Sequence, residues 1–512
     1  MSLRAQNFKR VLIANRGEIA LRIIRSLREL GMESVVLYAP SDRQSLPVRL
    51  ADYALALAGT SAAETYLNLE EIKKALLASG ADALHPGYGF LSESSALIAL
   101  SEECGVTFIG PSGDAIQKLG HKIDARALAQ SLGIPTVPGH QGKITSADHG
   151  IRVAQTLGFP LIIKAAAGGG GRGMRVVRSL EAFADAYASC SREAAAYFGD
   201  STVFCERYLH NPRHIEVQIL CDRYGAGVHL GERDCSIQRR HQKLCEEAPS
   251  VYLSPAARER MGSLAVSLAL AAGFVGAGTV EFICESPEQF YFMEMNPRIQ
   301  VEHPISEMIA GIDIIAEQIK ICAGFPLSWK QEDICLRGYA LEARINAEDP
   351  RLGFMPTSGR IRRLKLPAGP FTRVDSHLYQ GYEVPTQFDS LLAKICVWGQ
   401  TREEARRRML RCLGELELDG LATTASFHEG LLTHPRWQAG ELSTNFIEEE
   451  AGYFQRWFTP ESSPAAAAEN REQLVLSGFL RQWQRQQRQL PPREVGSDLW
   501  SQQARREAQE RI

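Results

Sequence analysis

Between Gly278 and Glu307 the chain reads GTVEFICESPEQFYFMEMNPRIQVEHPISE. Val280 to Cys284 and Phe290 to Met295 are strand-like, rich in β-branched and aromatic residues, around the turn-forming pair Ser286-Pro287. A hairpin centred between Pro287 and Glu288 sets Glu281 directly across from Glu294. Cross-strand neighbours lie about 5 Å apart, where like charges repel. Two carboxylates in that position point to a bound cation. Side chains alternate along a strand, so Asn296 shares the face of Glu294 and adds a third hard oxygen. Oxygen-only ligation suits Mg²⁺ or Mn²⁺. A third extended stretch follows, in which Arg298, Gln300 and Glu302 recur at period two and share a face. A cation, a guanidinium, an amide and a carboxylate would then converge in one place. The plainer alternative is a solvated strand face, which the flanking apolar strands disfavour.

Three other stretches carry chemistry. The strand Phe159 to Lys164 ends in a lysine and runs straight into AAAGGGGRG, Ala165 to Gly173, before a second strand, Met174 to Arg178. A glycine run lets backbone N–H groups approach phosphates closely. It has no Gly-Lys-Ser/Thr and leads into a strand rather than a helix, so it is not a Walker A loop. It reads as a hairpin flap over a nucleotide. Alone it is a weak signal; Lys164 before it and the carboxylates downstream strengthen it. Gly231 to Lys243 (GERDCSIQRRHQK) carries Arg233, Arg239, Arg240, His241 and Lys243 with few carboxylates to neutralise them. That is either a solvated basic turn or an anion site for a triphosphate or a small oxyanion. Ala83 to Glu93 (ALHPGYGFLSE) leaves a strand and turns on two glycines, where open parallel sheets bind ligands. Spacing alone does not separate this from an ordinary turn.

The remaining elements position these groups. Lys9 to Asn15, a helix from Gly17 to about Leu30, and Ser34 to Ala39 form a βαβ unit, which predicts an open parallel sheet. G-x-G-x-x-G is missing from it, so a dinucleotide site is not supported. A polar helical segment after Gly110-Pro111 holds Lys122. Strands follow at Val203 to Leu209 and Asn211 to Leu220, the second with His214, Glu216 and Gln218. From Arg337 a β-rich region runs to a helix at Arg402 to Glu415. After Glu450, TPESSPAAAAEN reads as a linker, and Leu476, Phe479, Leu480 and Trp483 then recur at helical spacing, a candidate docking helix.

Length and composition set the frame. At 512 residues the chain allows about three domains, and 45% hydrophobic with 23% charged residues is ordinary for a globular protein. A net charge of −3 argues against nucleic acid as a partner. No apolar run approaches the roughly 18 residues that span a membrane, and MSLRAQNFKR lacks a signal-peptide core. Eleven cysteines without a CxxC pair suggest reduced, buried thiols and a cytoplasmic location. Cys235 and Cys245 read as small hydrophobes near the chemistry.

From about Lys9 to Glu448 the sequence resembles biotin carboxylase, the ATP-grasp component of biotin-dependent carboxylases. The motifs are IANRGEIA, HPGYGFLSE, IIKAAAGGGGRGMR, NPRHIEVQ, ERDCSIQRRHQK, EMNPRIQVEHP and RINAEDP. Pro297 stands where the family often has threonine, and Arg207 where it has lysine. The resemblance implies an α/β ATP-grasp fold. Its parts would be an N-terminal parallel-sheet (pre-ATP-grasp) domain at 1–118, an ATP-grasp domain at 119–325 with a lid at about 135–205, a β-rich C-terminal domain at 335–450, and an unassigned tail at 451–512.

It also implies roles. Lys122 and Lys164 contact nucleotide phosphates, Gly170 and Gly171 belong to the flap, and Glu206, Arg207, Tyr208 and Leu209 line the adenine. His214, Gln238 and His241 touch other parts of ATP, and Glu281, Glu294 and Asn296 hold Mg²⁺ or Mn²⁺. Lys243, Arg298, Gln300 and the Val301 backbone bind bicarbonate, with Glu302 as general base. Arg344 meets the ureido oxygen of biotin, with Tyr88 close by. The implied partners are a biotin carboxyl carrier protein, carboxyltransferase subunits and a second copy of the chain. The implied assembly is an acyl-CoA carboxylase, most simply acetyl-CoA carboxylase of fatty acid biosynthesis, with pyruvate or propionyl-CoA carboxylase as alternatives. Biotin would be carrier-bound, since no Met-Lys dipeptide of the biotinyl type occurs in the chain. A different ATP-grasp carboxylate–amine ligase and a silent scaffold are the competing readings; the intact Glu281, Glu294, Glu302 and Arg344 set argues against the scaffold.

Overall fold

Near-continuous apolar runs bounded by turn residues produce the first sheet. In the computed structural model, which describes residues 7–140, 142–166 and 173–458, these runs become β1 (Arg10–Ile13), β2 (Glu33–Tyr38), β3 (Tyr53–Ala56), β4 (Ala83–His85) and β5 (Thr107–Phe108). They pair in parallel in the order β3-β2-β1-β4-β5. The helix Gly17–Glu29 returns the chain from β1 to β2 and stops where Gly31 takes φ 73°. Its Ile19, Ile23, Ile24 and Leu27 are buried, which is the stripe that a 3.6-residue period produces.

The stretch expected to form a lid holds a small antiparallel sheet of β6 (Leu161–Ala165), β7 (Met174–Val177) and β8 (Val203–Arg207), in the order β7-β6-β8. The helices Ala147–Leu157 and Phe183–Phe198 accompany it. Most of the glycine flap, residues 167–172 with Gly170 and Gly171, lies outside the described residues, as do the expected linker and tail helix.

The main sheet has eight antiparallel strands among the described residues. Its first six are β13 (Phe290–Asn296), β12 (Gly276–Cys284), β9 (Arg213–Cys221), β10 (Gly227–Arg239), β11 (Gln242–Ala248) and β14 (Tyr339–Asn346); the strands Leu391–Gly399 and Thr372–Ser376 complete it. The sheet crosses the region between residues 325 and 335, where the sequence suggests a domain boundary, because β11 pairs with β14. Residues 1–451 accordingly form one unit. The helix Arg402–Glu415 begins at Thr401, whose hydroxyl accepts from the Glu404 N–H. No helix among the described residues is long and apolar enough to cross a membrane.

One expectation changes. The stretch after β13 is not a third strand. It runs irregularly from Pro297, turns at Val301-Glu302, and enters the helix His303–Ala310 with Glu302 at its N-cap. Pro304 in the first turn favours that start, since its missing N–H would be unpaired there anyway.

Candidate active site

The β12–β13 hairpin turns on Pro287, not between Pro287 and Glu288 as expected: Phe282 pairs with Phe292 and Cys284 with Phe290, and a bulge shifts the register by one beyond them. Glu281 lies opposite Glu294 and Thr279 opposite Asn296, with a bulge just past Glu281. Glu281 is buried and well supplied with donors. Its Oε1 accepts from Asn296 Nδ2 at 2.7 Å, Gln300 Nε2 at 2.8 Å and Lys243 Nζ at 3.1 Å, and His214 Nε2 lies 3.1 Å from Oε2. Burial would raise its pKa, but Lys243 and His214 hold it well below the usual carboxylate range. Glu294 pairs with Lys122 Nζ at 2.8 Å. Two glutamates paired across a hairpin are oxygen donors of the type that suits a hard divalent cation. Asn296 turns its Oδ1 to Arg298 Nη2 (3.2 Å), so the amide must rotate to give a third oxygen ligand.

Lys243 brings the next groups together. The β10–β11 hairpin turns on Arg240 and His241, both at positive φ (49° and 65°), so this two-residue loop is left-handed without glycine. Beyond the turn, Lys243 Nζ reaches Glu216 at 2.5 Å, Glu302 Oε1 at 2.7 Å and Glu281 at 3.1 Å. Those three acids raise its pKa well above the ordinary value despite burial. Arg344, on β14, donates from Nη2 to Glu302 Oε2 at 2.9 Å and lies 2.6 Å from Glu246 Oε1. Glu302 is therefore gripped at each oxygen by a different cation. Burial pushes its pKa up, but Lys243, Arg344 and Arg233 prevail and hold it well below the carboxylate range. Gln300 donates to Glu281 and accepts from Arg233 Nη2 at 2.9 Å. The Val301 carbonyl accepts from Lys394 at 2.8 Å.

Among the residues expected to contact the nucleotide, Lys164 Nζ lies 2.6 Å from Glu206, which also pairs with Arg126. Arg207, one position on, points the other way to Glu285 (2.8 Å) and Tyr291 Oη (3.2 Å). Tyr208 and Leu209 follow β8, and Leu209 packs with Val137 and Tyr291. His214 is buried; desolvation opposes its charge, but Glu281 raises its pKa. Gln238 is buried near the end of β10, whereas His241 is exposed at the hairpin tip. Lys243, Glu281, His214 and Glu302 thus form one connected group, and the Lys122–Glu294 pair stands across the hairpin from it. Lys164 and Glu206 stand beside it.

At the opposite rim, Asn15 Nδ2 donates to the carbonyls of Pro86 (2.7 Å) and Tyr88 (2.8 Å). Gly87 sits at φ 64°, and a Cβ there would meet Asn15 Nδ2 at 2.8 Å, so only glycine fits this loop. The Tyr88 hydroxyl donates to Glu18. Arg298 Nε donates to Glu93 at 2.5 Å, which ties HPGYGFLSE to the hairpin.

Sequence reasoning missed several members. Arg233 is wholly buried and bonds Glu216 (2.6 Å), Gln218 (2.8 Å), Ser306 (2.9 Å) and Gln300. It stood in the basic run, and nothing local marks it as internal. Glu216 shares a face with His214 and Gln218 at period two, the signal that could have found it. Arg126 and Glu246 carried none, while Glu93 closes the ALHPGYGFLSE stretch without being singled out within it. Cys235 Sγ lies 4.0 Å from Glu302 Oε1, and burial keeps both it and Cys245 as thiols.

A hairpin bearing paired glutamates, a lysine on a small antiparallel sheet and a central antiparallel sheet are the arrangement of an ATP-grasp enzyme. The family models agree. Residues 7–116 match the biotin carboxylase N-terminal domain, 121–330 the carbamoyl-phosphate synthase L chain ATP-binding domain, and 342–449 the biotin carboxylase C-terminal domain. The chain is 50% identical over 441 residues to biotin carboxylase 1 of Bacillus subtilis, covering 86% of this chain and 98% of that one. It is 46% identical over 442 residues to a pyruvate carboxylase subunit of Methanothermobacter thermautotrophicus, covering 86% and 90%. Among solved structures, the biotin carboxylase domain dimer of Hydrogenobacter thermophilus 2-oxoglutarate carboxylase, in complex with MgADP, ADP and bicarbonate, superposes with a TM-score of 0.85. It shares 45% identity and covers 88% of this chain and 99% of that one. The chain belongs to the biotin carboxylase family.

Proposed function

We propose that this chain uses ATP and bicarbonate to carboxylate the N1 nitrogen of biotin carried on a separate protein. The observation that carries the reading is the grip on Glu302: Lys243 holds one oxygen at 2.7 Å and Arg344 the other at 2.9 Å, beside the paired glutamates. A carboxylate so placed is ionised at neutral pH and stands between an anion site and the arginine on which biotin would rest.

Bicarbonate is a poor nucleophile. Lys243, Arg298, the Gln300 amide and the Val301 N–H would orient it, and Glu302 would take its proton. Its oxygen then attacks the γ-phosphorus, the bond to ADP breaks, and carboxyphosphate forms. Lys243 can shift toward the new anion as Glu302 is neutralised, which offsets the weak basicity of so strongly paired a carboxylate. Lys122 and Lys164 would neutralise charge on the transferring phosphates, with Glu206 to Leu209 at the adenine and His214, Gln238 and His241 at the rest of the nucleotide. Glu281 and Glu294 would hold a Mg²⁺, which would supply charge neutralisation for the transferring phosphate. Carboxyphosphate splits to CO₂ and phosphate; phosphate takes the N1 proton and N1 attacks CO₂. Arg344 stabilises the enolate-like ureido oxygen, a task suited to a charge that does not titrate away.

The three matched regions support a division into N-terminal, ATP-grasp and C-terminal domains near 1–118, 119–325 and 335–450. We infer a homodimer, as in the 2-oxoglutarate carboxylase neighbour, working with a carrier protein and a carboxyltransferase, and a cytoplasmic setting that keeps the eleven cysteines reduced. Acetyl-CoA is our reading of the final acceptor, because a relative at 50% identity is named as a biotin carboxylase in its own right. A copurifying transferase that uses pyruvate or propionyl-CoA would replace it. Phosphate release is the primary test. Turnover should require bicarbonate and rise with free biotin; turnover indifferent to both, or dependent on an amine, refutes the assignment.

A further inference from the structure

One ammonium group at the centre of the molecule has no part in the steps above. Lys394 lies on the strand Leu391–Gly399, directly across from Arg344 on one side and Asp375 on the other. It is wholly buried. Its Nζ donates to the Val301 carbonyl at 2.8 Å and pairs with Glu18 Oε1 at 3.1 Å and Asp375 Oδ2 at 3.8 Å. Burying a lysine is costly unless its charge is matched and its donors are used. Here the three partners come from three different parts of the chain. Glu18 belongs to the matched N-terminal region, Val301 to the ATP-binding region, and Asp375, like Lys394 itself, to the C-terminal region.

Two of those contacts lead to the site. The Val301 carbonyl belongs to the peptide plane whose N–H is that of Glu302, at the start of the helix His303–Ala310. Holding that plane sets the backbone from which Glu302 reaches Lys243. Glu18, in turn, accepts from the Tyr88 hydroxyl, on the loop expected to face biotin. One cation therefore anchors the proton-accepting carboxylate on one side and the tyrosine on the other.

We propose that Lys394 is a positioning residue that couples the bicarbonate and biotin halves of the site, fixing Glu302 through the Val301 peptide and Tyr88 through Glu18. The inference rests on the function proposed above. Its size follows from geometry, since displacing a reacting group by about 1 Å can cost up to about a hundredfold in rate.

The test uses the full chain. Lys394→Met keeps length and removes the charge; kcat of the bicarbonate-dependent ATPase should fall and KM for free biotin should rise, each about tenfold or more, while KM for ATP stays within about twofold. Glu18→Leu leaves the ammonium with Asp375 and Val301, so it should raise KM for biotin and spare the bicarbonate-dependent ATPase. Tyr88→Phe should raise KM for biotin in the wild type and add little in Lys394→Met, where the hydroxyl has already lost its anchor. A folded Lys394→Met with both readouts unchanged overturns the proposal, as does a rise in KM for ATP equal to that for biotin. Should that variant fail to fold, Glu18→Leu decides: an equal loss in both readouts overturns the proposal. Wild-type turnover indifferent to bicarbonate and biotin would instead refute the function reading, and this inference with it.

Discussion

Glu246 offers a prediction in which pH separates two states of the site. It lies on β11 directly across from Glu342 on β14, and both are wholly buried. Burial pushes Glu246 up to about 7, against the pull of Arg344 at 2.6 Å. Burial likewise pushes Glu342 well above the carboxylate range. In the unfolded chain Glu246 titrates near 4.5. Between those values the unfolded chain has lost its proton and the folded one keeps it. Stability is thus fully present below about 4.5 and falls as pH rises to about 7. The loss is about 3 kcal/mol, at 1.36 kcal/mol for each pH unit of displacement. Glu246→Gln still accepts from Arg344 but does not titrate. Its Tm relative to wild type should therefore climb by a few degrees between pH 5 and pH 8. Activity should follow. Above pH 7 Arg344 faces two carboxylates rather than one, so biotin-dependent turnover should show an alkaline step near 7 that Glu246→Gln lacks. Thermal melts and phosphate release over a common pH series read both effects. A Tm difference constant with pH, together with superimposable activity profiles, would refute the reasoning.

Glu302→Gln should cut bicarbonate-dependent ATPase and biotin carboxylation alike, by about a hundredfold or more, because the first step needs the base. Arg344→Ala should lower biotin carboxylation by about a hundredfold and spare more of the ATPase; equal losses in both assays from both variants contradict that division. Glu294→Gln removes one of the facing carboxylates and should raise the Mg²⁺ requirement about tenfold or more, so an unchanged Mg²⁺ titration argues against ligation there. An avidin blot of the purified chain should stay blank, and a band would place biotin on this chain.

Local periodicity made part of this site legible. Alternation along two short strands around a Ser-Pro turn pointed to Glu281 across from Glu294, and that pair forms, but through a bulge just past Glu281 that corrects for a turn centred on Pro287. The helix Arg402–Glu415 was equally local, with Thr401 as its cap and an apolar stripe behind it. The resemblance, carried by motifs such as RRHQK and RIQVEH, pointed to the family. The third extended segment failed because Pro304 and the N-cap geometry of Glu302 outweighed period-two spacing.

What the sequence determined by itself were the groups whose partners lie within a turn or a hairpin, and the chemistry those groups can do. The tertiary structure alone decided which charges are internal and what neutralises them. Arg233 looks like any basic residue of a charged strand and Lys394 is the one charge of the apolar strand Leu391–Gly399, yet both are wholly buried and their partners lie far away in sequence. Arg344 meets Glu246 because β11 pairs with β14, and Glu302 because the helix His303–Ala310 packs against β14, which joins segments distant in sequence. Such pairings are set by burial of the common core, a sum over distant residues that no local pattern encodes. A buried cation is tolerable only where that same core brings its carboxylates within reach.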